Sequence, residues 1–183
     1  MADQIILSVP AKLEFLSTVE NFVDVIIQHF NVDNEKKFSH MLRTTVNEAF
    51  VNILEHTPMP EEGMVTIIFE LNPPTLNIRF PDKGKGLKVA GSYPPYPEQL
   101  IGSEHQILKT LDGELYAKIE SPVSVKLIFK EIKYNLNRDD LIKNLGAGGM
   151  GLSIIVKFMD EVRFIFDENR GHCLEVKKRF SAQ

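Results

Sequence analysis

"NLGAGGMGLSIIVKFMDEVRFIFDE", residues 144–168, is the stretch on which the fold turns. Gly146, Gly148 and Gly151 satisfy G-x-G-x-x-G, and Asp167 follows at about the distance at which a dinucleotide-binding fold places an acidic residue. That fingerprint requires a buried strand immediately before the first glycine. Here the preceding residues are "LNRDDLIKNL", polar and helix-like, and only residues 152–183 remain for the rest of such a fold. The pattern therefore argues against a doubly wound sheet. It leaves a glycine-rich turn before a short apolar helix, Leu152–Met159, whose first N–H groups are unpaired and favour a phosphate. A turn that serves packing alone carries the same letters, so the company of the motif decides between them.

Working outward, Val162–Asp167 and Cys173–Phe180 read as strands joined by the turn "ENRG". Toward the N-terminus, Ile5–Val9 is a short strand. From about Lys12 to Phe30, Leu16, Val19, Val23, Ile26 and Phe30 fall at helical spacing, with Phe22 and Ile27 beside them. A second helix runs from about Glu35 to His56, with Phe38, Leu42, Val46, Ala49 and Ile53 on its inward stripe, and Pro58 and Pro60 ending it. Met64–Leu71 and Thr75–Phe80 form a hairpin through "NPP". Residues 88–135 resist a simple reading, although "ELYAKIE" and "VSVKLIFKEI" are strand-like, and 136–145 read as a polar helix or loop. The order β-α-α-β-β, an irregular middle, then α-β-β predicts a two-layer α/β sandwich. Its sheet is mixed but mainly antiparallel, covered by helices on one face. The whole chain forms one domain, with an atypical lid or insertion at about 88–143.

Two further motifs accompany the glycine turn. In "TTVNEAFVNILEHT", Glu48 and Asn52 are four residues apart and share a helical face with Thr44 and Glu55, away from the apolar stripe. A solvated face has this pattern. So has a site in which the Asn52 oxygen serves Mg²⁺ and the Glu48 carboxylate accepts a proton from an attacking hydroxyl or water. In "FPDKGKGL", Asp82 ends a strand, with Gly84 and Gly86 following. This is either a plain turn or a carboxylate for an exocyclic amine, with glycines that admit a ligand to the backbone.

E-x-x-x-N on a helix, D-x-G-x-G after a strand and G-x-G-L before a helix, in this order, resemble the GHKL (Bergerat-fold) ATPase superfamily. Within it the chain is similar to the small bacterial anti-sigma-factor serine/threonine kinases, through "SVPAKLEFLSTVENFV", "VNEAFVNILEHT" and "GGMGLSIIVKFMDEV". The resemblance covers residues 1–87 and 144–180. It implies that Asn52 holds Mg²⁺, that Glu48 is the general base, and that Asp82 binds the adenine amino group in a pocket shaped by Gly84 and Gly86. Gly149 and Gly151 then close on the phosphates of ATP. It also implies a STAS-type anti-anti-sigma protein as phosphoacceptor, a sigma factor as the sequestered partner, and a homodimer. Lys83, Lys85 and Lys88 read as solvated. The lid region does not align with the family. That leaves open a partner-switching module that binds ATP or ADP without phosphoryl transfer, and a relic that acts by protein contacts alone.

Composition sets outer limits. A net charge of −4 over 183 residues argues against a general binder of nucleic acid or anionic membrane. The basic run "KKR" at 177–179 reads as the solvated side of a last strand. The single cysteine, Cys173, excludes an intrachain disulfide and reads as a core residue. The five histidines show no metal-ligand spacing. The start "MADQIILSVP" lacks a basic, apolar leader, and a cytoplasmic protein is the expectation. From the length, the expectation is a chain without a phosphoacceptor-histidine or transducer domain, which favours the small-kinase branch.

Overall fold

The computed structural model describes residues 3–30, 34–57, 63–110, 112–132 and 150–180. Eight strands form one sheet: β1 (Asp3–Pro10), β2 (Met64–Asn72), β3 (Thr75–Asp82), β4 (Glu104–Lys109), β5 (Gly113–Ser121), β6 (Ser124–Glu131), β7 (Glu161–Asp167) and β8 (Gly171–Arg179). Their spatial order is β1-β2-β3-β8-β7-β6-β5-β4. Every pairing is antiparallel, so the expected mixed character is absent among the described residues.

The helices are α1 (Leu16–Ile27), α2 (Glu35–His56) and α3 (Met150–Phe158). They cover one face, and the period-two pattern of the strands explains why. Val65, Ile67, Phe69 and Leu71 on β2, Leu76, Ile78 and Phe80 on β3, and Leu115, Ala117 and Ile119 on β5 are all buried. They meet Val19, Val23, Ile26 and Ile27 of α1, Leu42, Val46, Ala49, Phe50 and Ile53 of α2, and Ile155 of α3. The alternate residues face the other side and carry cross-strand ion pairs: Arg79–Glu70 at 2.5 Å, Arg163–Glu120 at 2.8 Å and Lys130–Glu104 at 2.7 Å. This is the expected two-layer sandwich. No helix among the described residues is long and apolar enough to cross a membrane.

The reading of 88–135 as irregular needs correction. Residues 104–131 form a three-stranded meander that joins the main sheet through Ser124–Lys126 of β6 against Arg163–Ile165 of β7. The join lasts only three residue pairs. Beyond it α3 packs against β6, with the Lys157 ammonium 2.5 Å from Asp112 and 4.3 Å from the centre of the Phe129 ring.

Two smaller expectations change as well. Cys173 lies half-buried on the face opposite Leu174 and Val176, where burial holds its thiol up at about 11. Of the basic run, Lys177 and Arg179 are exposed while Lys178 pairs with Asp160 at 2.8 Å.

Candidate functional site

Asp167 settles the question of the dinucleotide fingerprint. Its carboxylate accepts the N–H groups of Asn169 (2.8 Å) and Arg170 (3.0 Å) inside the β7–β8 turn. It is a turn-forming residue in a hairpin, not a ribose ligand at the end of a parallel strand.

The other motifs converge. Between α2, the end of β3 and the start of α3 lies a cavity of about 900 Å³, within the size range of small-molecule sites. Glu48 and Asn52 line it from α2, Asp82, Gly84 and Gly86 from the end of β3, and Gly151 from the first turn of α3. Six of the seven residues singled out in the sequence thus share one cavity. The seventh, Gly149, lies outside the described residues, as do Gly146 and Gly148. The floor is apolar, made by Ile53, Phe80, Phe164 and Leu174.

Glu48 and Asn52 border the buried stripe of α2 and are half-buried rather than fully solvated. Thr44 departs from them. Half-buried like them, it lines the groove between α1 and α2 instead, and its hydroxyl donates to the His40 carbonyl at 2.9 Å. The Glu48 carboxylate rests against Gly151, where any side chain would collide with Oε2. An absent Cβ therefore lets a carboxylate reach the start of α3, whose N–H groups suit negative charge. Among the described residues the Asn52 carboxamide has no hydrogen-bond partner, and its Nδ2 is buried without one. A ligand or water that accepts from Nδ2 would complete it.

At the other end of the cavity, α2 stops at His56 because Pro58 pushes Thr57 out of the helical region, to φ −101° and ψ 120°. That extended residue turns its hydroxyl to Asp82, donating to Oδ1 at 3.1 Å, and the Gly84 N–H donates to the same oxygen. Both protein donors converge on Oδ1, and Oδ2 has no partner among the described contacts. Sequence reasoning missed Thr57, because its role depends on a contact across 25 positions.

His172 was missed too. It pairs in register with Asp82, is 8% exposed, and stacks on Phe166 with ring centres 4.9 Å apart. Burial lowers its pKa, against the pull of Asp82, which raises it. Its ring fills the space beside Gly86, which has φ +74°, so a side chain there would be strained and would strike the imidazole. Lys85 lines the cavity and is exposed, while Lys83 and Lys88 are exposed outside its lining.

In this second groove, between α1 and α2, Arg43 pairs with Glu20 (3.0 Å) and Asp24 (3.6 Å) and Ser39 donates to Asp24 at 2.5 Å, while Asn47 Oδ1 is buried without a partner among the described residues. The pKa of Glu20 is lowered by hydrogen bonds from Asn47 and Arg43.

A family model described as a histidine kinase-like ATPase domain matches residues 9–178 of the chain. No curated protein matches it.

Proposed function

The chain belongs to the histidine kinase-like ATPase domain family, and on that premise we propose that its cavity binds ATP with Mg²⁺ for phosphoryl transfer. The acceptor in this reading is a Ser or Thr hydroxyl of a STAS-type anti-anti-sigma protein, and the chain, as a homodimer, sequesters a sigma factor. The observation that supports it is the convergence of residues 48, 52, 82, 84, 86 and 151, from three separate segments, on one cavity.

The parts divide by chemistry. The free oxygen of Asp82 suits an exocyclic amine, and the apolar floor suits a base. Gly151 and the start of α3 suit phosphate. Among the described residues no group of three or more His, Cys, Asp or Glu side chains could hold a metal. Mg²⁺ accepts one or two protein oxygens and takes the rest from phosphates and water, and Asn52 supplies such an oxygen. Bound Mg²⁺ would neutralise charge on the phosphate oxygens. Glu48 takes the proton of the attacking hydroxyl as its oxygen bonds to the γ-phosphorus and the bond to the ADP oxygen breaks.

The test is transfer of label from γ-³²P-ATP to a purified STAS-type protein in the presence of Mg²⁺. Phosphoserine or phosphothreonine on that protein is the expected result. Tight ATP binding with no label transferred would overturn the kinase reading and leave a partner-switching module.

Asp82→Asn has a defined expected outcome because Thr57 and Gly84 both donate to one oxygen of the side chain. They will hold the amide oxygen on their side and turn its NH₂ toward the ligand. A donor then meets the adenine amine, also a donor. ATP affinity should fall by on the order of 1.5–3 kcal/mol, the worth of a hydrogen bond to a charged group. The preference for ATP over GTP should narrow, since guanine offers a carbonyl at that position. Parallel titrations of the two nucleotides check it. Equal affinity of the unmodified protein for ATP and GTP would remove Asp82 as the base reader.

A further inference from the structure

The segment from Leu87 to Pro97 borders the cavity through Leu87 and Tyr93. The sequence "GLKVAGSYPPYP" gives it two anchors. Val89 and Ser92 exchange both backbone hydrogen bonds at 2.9 Å around Ala90 (φ 50°) and Gly91 (φ 82°), a tight hairpin turn of the type with two left-handed central residues. Tyr96 is 4% exposed; its hydroxyl donates to the Leu87 carbonyl at 2.6 Å and its N–H to the Pro122 carbonyl at 2.7 Å. The segment is thereby closed on itself and pinned to the β5–β6 turn.

Between the two anchors stands Tyr93. It lines the same cavity as Gly84, Gly86 and Leu87, yet 44% of it is exposed, although Val89 and Tyr96 on either side are buried. The Lys88 ammonium lies over its ring, 5.9 Å from the centre. An aromatic ring open to an apolar-floored cavity, on a loop fixed on both sides, is suited to stack on a flat ligand.

We propose that Tyr93 is a preformed stacking platform for the nucleobase, with Lys88 on one face of the ring and the base on the other. The proposal rests on the nucleotide-binding reading of the same cavity and adds to it a residue that no glycine or carboxylate motif contains. It places Tyr93 at the base end, because its segment follows the Asp82–Gly86 turn directly in the chain and both line the cavity, while Glu48, Asn52 and Gly151 mark the phosphate end.

The experiment compares ATP, adenosine and inorganic tripolyphosphate on the full chain and its Tyr93→Ala and Tyr93→Phe variants by calorimetry. Tyr93→Ala is expected to weaken ATP and adenosine alike, by roughly 5- to 150-fold, the range for loss of one base–aromatic stack. Tripolyphosphate, which has no base, should bind as before, and Tyr93→Phe should bind all three like the parent. The chain has no tryptophan and four tyrosines, so adenosine should also quench tyrosine emission in the parent, and less so in Tyr93→Phe. Equal affinities of parent and Tyr93→Ala for ATP and adenosine would overturn the assignment while leaving nucleotide binding in place. An equal loss for all three ligands would overturn it too, as damage to the whole cavity. A parent that binds neither ATP nor adenosine would sink the nucleotide reading, and the platform with it.

Discussion

Glu48→Ala should lose phosphoryl transfer by roughly 10²–10⁴-fold, the usual contribution of a general base, and still bind ATP. Two features of the site carry this expectation. The carboxylate reaches the start of α3 only because position 151 is glycine, which puts it where phosphate is expected. It also brings negative charge to that place. Its removal should leave ATP affinity unchanged or increased, since two like charges no longer share a site. The half-buried position borders the core without belonging to it, so the variant should melt close to the parent without nucleotide. Single-turnover transfer to a STAS-type protein, measured beside ATP affinity, separates the two effects. A loss of binding equal to the loss of transfer would make Glu48 a binding or structural residue.

Asn52→Ala should behave in the opposite sense, losing Mg²⁺-dependent ATP binding. The side chain has no hydrogen-bond partner among the described residues, so the substitution breaks no described hydrogen bond. What it removes is the carboxamide oxygen that the proposal gives to the metal, and with it the means of neutralising the phosphates. Titrations of ATP with and without Mg²⁺ are the check. In the parent the metal should strengthen binding, and in Asn52→Ala that gain should be lost. A variant that keeps the full Mg²⁺ gain would take Asn52 out of the metal site.

The second helix was legible to its ends, Glu35–His56, because an apolar stripe at helical spacing is bracketed by a polar loop and Pro58. The β2–β3 and β7–β8 hairpins were legible for a similar reason: clean alternation on either side of "NPP" and "ENRG". β4 was not. "EHQILK" is an edge strand with polar residues outward, and a register shift between Gln106 and Leu108 breaks its period of two. The chain-local part of the site could be read, since spacing on α2 puts Glu48 and Asn52 side by side whatever surrounds them. The tertiary part could not. Thr57 reaches Asp82 only because a helix stop turns it there, His172 reaches Gly86 only through the β3–β8 register, and Tyr93 arrives on a loop that no motif marks. The Glu48/Asn52 face is half-buried rather than fully solvated because an apolar floor from β3, β7 and β8 lies beneath it, contributed by residues far away in sequence.

The central claim is that this cavity takes an adenine nucleotide, and thermal melting with ATP, ADP and NAD tests it most directly. A ligand that binds only the folded chain, at ~100-fold excess over its dissociation constant, adds about 2.7 kcal/mol. For a domain of this size that corresponds to roughly 5–11 °C. ATP and ADP with Mg²⁺ should each produce such a shift, and NAD should produce none. A shift with NAD and none with ADP would contradict the account and return the glycine-rich turn to the dinucleotide reading.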